Sequence, residues 1–246
     1  MLAEPFPAAW VEILHTNVAD YSHLAASEQQ AVRDYLQIFT PEKQWEGCRG
    51  FEITDEVRVT IAAQVAVLVL GITEEYFDRV TSILVYPSAY VAQGKTMLGQ
   101  GVVMEGDSHR EGEAWYRGPV ILSWPEVLAG SRRENYGSNL VLHEFAHQLD
   151  MLNGYVVDGV PLIASQQQYL RWEKVTSREY DQLLHNSRHG QPAVLDSYGA
   201  TNKAEFFAVA TEAFFMEPRA LQMHHAELYD VLREYYRQDP AARSWH

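Results

Sequence analysis

Histidines at positions 143 and 147, a glutamate at 144 and the apolar run Leu140-Val141-Leu142 just before them constrain this chain more than any other stretch. The pattern H-E-x-x-H with an apolar entry predicts a helix. On a helix, positions i and i+4 lie one turn apart on the same face. Two imidazoles so placed can grip one Zn²⁺, and the carboxylate beside the first can work on a water. The pattern is short enough to arise by chance, so its weight depends on the rest of the chain.

At 246 residues the chain can bury one good core, or one core with a helical annex. Hydrophobic content of 47% with 12% aromatics belongs to a folded globular protein. The formal net charge is -14, with 33 acidic and 19 basic residues and no Lys/Arg-rich run. Such a surface suits neither nucleic acid nor an anionic membrane as the main partner. The single cysteine, Cys48, makes an internal disulfide impossible and fits a reducing compartment. The N-terminal residues carry no basic region followed by a long apolar stretch, so no signal peptide is expected and the location predicted is the cytoplasm. The apolar run from Val57 to Leu70 is broken by Arg58, Thr60 and Gln64 and is short for a span. It predicts a buried core helix.

Residues 1–50 read as helical, with a capping box from Ser27 to Gln30 and a helix that Pro41 ends. Thr54-Asp55 opens a second helix, stopped by Gly71. Residues 82–124 change character. Ile83–Tyr86, Tyr90-Val91, Gly101–Met104 and Pro119–Trp124 are β-branched and aromatic runs punctuated by Pro, Gly and Asp. They predict a small mixed or antiparallel sheet. Pro119 and Pro125 bracket the last run, as at a sheet edge that could pair with an extended peptide. Helices return at about 138–152, 165–186, 202–216 and 224–237. The expectation is one α+β domain over 1–246, with 1–50 a helical segment packed on it.

A catalytic zinc normally takes three protein ligands and keeps one position open. The predicted helix from Asn202 offers two carboxylates, Glu205 and Glu212, seven apart and therefore on one face. Their neighbours Phe206, Phe207, Ala208, Val209, Ala210, Phe214 and Phe215 are apolar. Carboxylates on so apolar a helix need partners, either cationic side chains or a metal. Spacing alone does not choose between the two. Asp150, three after His147, shares the face of both histidines. It could accept the second N–H of a metal-bound ring, or bond the turn at Asn153-Gly154.

The run from Tyr198 to Ala208, with its E-F-F-A, resembles the matching stretch of the anthrax lethal factor catalytic domain, as does His143–His147. That resemblance implies Glu205 as third ligand, Tyr198 as the hydroxyl that steadies an oxyanion, and a gluzincin-type zincin fold. Glu212 is then a residue behind the ligands. A resemblance over most of the chain is carried by Gly50-Phe51-Glu52, Ile83–Pro87, Gly118–Trp124, Asn139-Leu140 with His143–Asp150, Asn153-Gly154, Gly159-Val160-Pro161 and Ala204–Phe215. These motifs, in this order, resemble the Mlc titration factor A family of bacterial cytoplasmic zinc peptidases. The resemblance implies one Zn²⁺ per chain, a peptide substrate, aminopeptidase activity and binding of the glucose-responsive repressor Mlc. Lys203 departs from it, standing where Pro is common, and the N-terminus is shorter than in enterobacterial members.

The expected roles follow. His143, His147 and Glu205 hold zinc, Glu144 is the general base and Tyr198 the oxyanion donor. Asp150 and Glu212 stand behind them. Two other readings compete: a non-catalytic protein that sequesters a repressor around a structural zinc, and a different metal-assisted hydrolase. Glu144 favours catalysis over a structural site, which needs ligands but no base.

Overall fold

The computed structural model describes residues 5–72, 75–88, 118–134, 137–154 and 157–243. The expected runs at Tyr90-Val91 and Gly101–Met104 lie outside them. Helices dominate. The chain forms two compact units, one reaching Val141 and one spanning Leu142–Ala242.

In the first unit, α1 (Ala8–Asn17) and α2 (Ala26–Glu42) pack against α3 (Asp55–Val69). The α3 helix begins where Thr54 accepts the Val57 N–H and carries Asp55 and Glu56 in its first turn, a favourable end for acidic groups. From Val57 to Val69 all but Arg58 are buried, so it is apolar on every side. That is the core helix expected, and no described helix is long and apolar enough to cross a membrane. Two details of α2 depart from expectation. Its start is Ala25-Ala26, with the Glu28 carboxylate accepting the Ala25 N–H at 2.8 Å, and not a box from Ser27 to Gln30. Pro41 sits inside the last turn, one residue before the helix ends.

Strands β1 (Gln44–Gly47), β2 (Ser82–Tyr86) and β3 (Val120–Ser123) form a sheet in the order β1-β2-β3. Both pairings are parallel, with Trp45 opposite Ile83 and Ile83 opposite Val120. The expected mixed or antiparallel sheet is therefore corrected to a parallel one among the described strands. The reason lies in the connections. A tight hairpin can join only antiparallel neighbours, whereas α3 and its flanks link β1 to β2 as a long crossover. Ile83, Val85, Val120 and Leu122 fill the buried positions. Trp124 does not extend β3. It starts helix α4 (Trp124–Ser131), with Pro125 in the first turn, where a missing N–H costs little.

The second unit is helical. It comprises α5 (Leu140–Asp150, whose first two residues belong to the first unit), α6 (Gln166–Arg188), α7 (Lys203–Met216), α8 (Pro218–His224) and α9 (Ala226–Tyr236). Every residue of α7 from Ala204 to Met216 is buried. Trp172 of α6 meets Phe207 edge-on at 5.6 Å, and Phe214 stacks on Tyr236 of α9 at 5.5 Å. Ahead of α7 lies a short 3-10 turn, Ser197–Ala200. There a side chain on Gly199 would press on Leu183 and Val209, so the turn sits tight against α6 and α7.

Candidate metal centre

The histidine helix and the E-F-F-A helix bring their polar groups together in the second unit. His143 Nε2 lies 3.3 Å from His147 Nε2 and 3.1 Å from Glu205 Oε2. His147 Nε2 lies 3.4 Å from the same carboxylate oxygen. Three atoms each about 2.0–2.2 Å from one tetrahedral ion would stand roughly 3.3–3.6 Å apart. The observed triangle therefore fits one small divalent cation. Two imidazole nitrogens and one carboxylate oxygen form a donor set that suits zinc. Among the described residues this is the one group of three or more His, Cys, Asp or Glu side chains gathered closely enough to share an ion.

Local sequence explains how Glu205 arrives there. Asn202 caps α7, its side-chain oxygen accepting the Glu205 N–H at 2.9 Å. This fixes the first turn and places the Glu205 side chain at the third helical position. An Asn followed three residues later by Glu is a helix-start signal, so the cap was readable from sequence. Lys203 is the first helical residue, a position that accepts Pro readily, which makes its departure from the family pattern structurally mild.

Glu212, the other candidate, lies behind the triangle. Its Oε1 sits 2.7 Å from His143 Nδ1, on the opposite side of the ring from Glu205. Burial opposes a charge on His143, and the hydrogen bonds to Glu205 and Glu212 outweigh it, so the ring pKa is raised. Burial works the other way on Glu205 too, and the two histidines prevail, holding its carboxyl below the ordinary glutamate range. His143 and Glu205 thus favour each other's charged forms before any ion is considered. A divalent cation takes the place of a proton between the same atoms.

Glu144 and Tyr198 complete the cluster. Glu144 Oε1 and the Tyr198 hydroxyl are buried without a hydrogen-bond partner among the described residues, as is His147 Nδ1. The Tyr198 ring centre is 6.1 Å from that of His143. Burial raises the Glu144 pKa against the pull of both imidazoles. Burial also raises that of Tyr198, with the charges of Glu205 and Glu144 adding to it, which keeps its hydroxyl protonated and able to donate. Buried polar atoms in native proteins are normally satisfied, so these orphans mark where a ligand or water belongs.

Asp150 does not stand behind either histidine by a direct bond. Its Oδ2 accepts the Gly159 N–H at 2.8 Å, and its Oδ1 is buried with no hydrogen-bond partner among the described residues. The turn it holds is thus at Gly159, not at Asn153-Gly154. The remaining histidines add no second centre among the described residues. His225 pairs with Glu179 at 2.7 Å, and His185 and His189 stack in the open at the end of α6.

Comparison with known proteins gives the chain a family. An uncharacterized protein of Synechocystis is 41% identical over 241 residues, covering 98% of this chain and 87% of that one. Mlc titration factor A of Yersinia pestis is 31% identical over 238 residues, covering 96% and 86%, and that of Yersinia pseudotuberculosis matches equally. Residues 1–237 match the family described as glucose-regulated metallo-peptidase M90, and the chain belongs to that family.

Proposed function

We propose that this chain is a zinc-dependent peptidase of aminopeptidase type, with His143, His147 and Glu205 as the ligands of one Zn²⁺. The observation that carries this reading is the triangle of donor atoms, 3.1 to 3.4 Å on its sides, with the buried Oε1 of the neighbouring Glu144 left without a hydrogen-bond partner among the described residues. When bound, zinc supplies Lewis acidity, lowering the pKa of a water and polarising a carbonyl. Glu144 takes the proton from the attacking water and carries it to the leaving amine. Tyr198 donates its hydroxyl hydrogen to the oxygen that becomes negative. Glu212 accepts the Nδ1–H of His143 and holds that ring's Nε2 toward the ligand position. The whole chain acts as one zincin-like domain of gluzincin type in the cytoplasm. The aminopeptidase preference rests on the family resemblance.

A regulatory role stands beside the catalytic one. The observation favouring it is that relatives 31% identical carry the name Mlc titration factor A. The same chain would bind the repressor Mlc over a surface of its own and so couple peptidase activity to glucose uptake. The deciding experiment measures the metal content of purified protein together with turnover of amino-acid and peptide reporter substrates, with and without chelator. About one zinc per chain and chelator-sensitive turnover are expected. Full turnover without metal overturns the catalytic reading. Zinc without turnover leaves the non-catalytic repressor-binding alternative.

A further inference from the structure

Gly159 occupies a position that no other residue type could fill without moving a neighbour. Its φ is +80°, a conformation that L side chains rarely adopt. A Cβ there would stand 2.3 Å from the backbone oxygen of Lys203, the first residue of α7. Backbone, unlike a flexible side chain, cannot step aside. The glycine is also tied down. Its N–H donates to Asp150 Oδ2 at 2.8 Å, and its carbonyl oxygen accepts from the Trp172 indole at 3.3 Å.

The two ends of this connection bear on the metal ligands. Asp150 closes α5, three residues beyond His147. Lys203 opens α7, two residues before Glu205. The loop therefore spans from the end of the histidine helix to the start of the glutamate helix, at van der Waals closeness. Both Asp150 and Trp172 are buried, so neither tie competes with bulk water.

We propose that Gly159, held by the Asp150 carboxylate, is a positioning residue that sets the spacing between the two helices and thereby the reach of Glu205 to the histidines. This rests on the ligand assignment above. Groups that orient metal ligands commonly contribute about 10–100-fold in metal affinity. Neither Asp150 nor Gly159 belongs to the donor triangle, and Gly159 abuts the first residue of the helix that carries Glu205, so the effect proposed passes through Glu205.

The test is Zn²⁺ affinity measured by competition with a chromogenic chelator, using the whole chain, with far-UV circular dichroism to follow folding. Gly159→Ala should weaken zinc about 10–100-fold. Should that variant fail to fold, Asp150→Ala asks the same question by removing the acceptor. Asp150→Asn, which keeps an acceptor oxygen for the Gly159 N–H, should bind zinc nearly as wild type does. In a Glu205→Ala background, where affinity is already low, Gly159→Ala or Asp150→Ala should add little further loss. Wild-type affinity in both Gly159→Ala and Asp150→Ala overturns the proposal, as does an equal further loss without Glu205. If Glu205→Ala itself leaves affinity unchanged, the ligand assignment fails first and the positioning role falls with it.

Discussion

Glu212 and Glu205 grip opposite nitrogens of one ring: Oε1 of Glu212 is 2.7 Å from His143 Nδ1, and Oε2 of Glu205 is 3.1 Å from Nε2. The two carboxylates sit seven residues apart on α7, nearly two helical turns, and His143 stands across that span. One helix thus offers both a candidate ligand, Glu205, and a carboxylate that holds the ring of another candidate, His143, in place. His143 is therefore predicted to be the most rigid of the three donors.

Glu212→Gln keeps an acceptor for Nδ1 and loses the charge, so zinc affinity should fall modestly, by about tenfold. Glu212→Leu leaves a buried N–H unsatisfied, at a cost of about 1–3 kcal/mol in stability, and should approach a hundredfold loss in affinity. Chelator competition and thermal melts measure the two effects separately. Unchanged affinity in the Leu variant would detach Glu212 from the metal site.

Base and ligand should separate cleanly. Glu144→Gln should retain zinc and lose most hydrolysis, because it removes proton transfer and leaves the triangle intact. His143→Ala should lose both. Chelator should lower the melting temperature of wild type and of Glu144→Gln alike. At cation concentrations a thousandfold above Kd, binding adds about 4 kcal/mol to stability. Equal metal loss in the two variants would show that Glu144 is not a dedicated base.

Tyr198→Phe removes one hydroxyl that has no hydrogen-bond partner among the described residues, so folding and zinc content should barely change. If that hydroxyl steadies the developing negative charge, kcat should drop about 10²–10³-fold with little rise in KM. Steady-state kinetics on a peptide reporter decides this, and wild-type turnover takes Tyr198 out of the mechanism.

How far the sequence foretold these features depends on how local each signal is. The α3, α5 and α7 helices were legible because apolar runs and caps lie within a few residues of one another. The histidine pair, with Glu205 or Glu212 as partner, followed from helical spacing. β1 was not legible, because Gln44-Trp45-Glu46-Gly47 has no β-branched residue and takes its strand form from pairing with Ile83–Val85. The parallel sense of the sheet was hidden for a related reason: strand direction is a property of connections, not of the strands. Choosing between Glu205 and Glu212 rested on family resemblance; with the helices placed, it is Glu205 whose carboxylate lies beside both Nε2 atoms. The bond from Asp150 to Gly159 joins residues nine apart through a loop, beyond the reach of any periodicity.

Acid should loosen the contact between α6 and α9. His225 hydrogen-bonds the buried Glu179, and Arg178 adds to it, so the Glu179 pKa is lowered despite burial. The folded protein then takes up this proton at a lower pH than the unfolded chain. Its stabilisation is complete above the ordinary glutamate pKa of 4.5 and is lost as pH falls through the lower folded value. Glu179→Gln should therefore melt below wild type at pH 7, with the gap narrowing below pH 4.5. A gap independent of pH would assign the loss to packing, not charge.

Repressor binding should not need catalysis. A stable protein–protein contact covers about 800 Å² on each partner, far more than a zinc shell presents. The three candidate ligands are buried or half-buried, so little of the centre is available to a large partner. Glu144→Gln preserves shape and metal, and so should bind purified Mlc with wild-type affinity while losing peptidase activity. Isothermal titration of both proteins against the repressor measures this directly. If affinity falls in step with turnover, the repressor engages the same centre as the substrate. The two functions would then compete for one site, contrary to the separation proposed here.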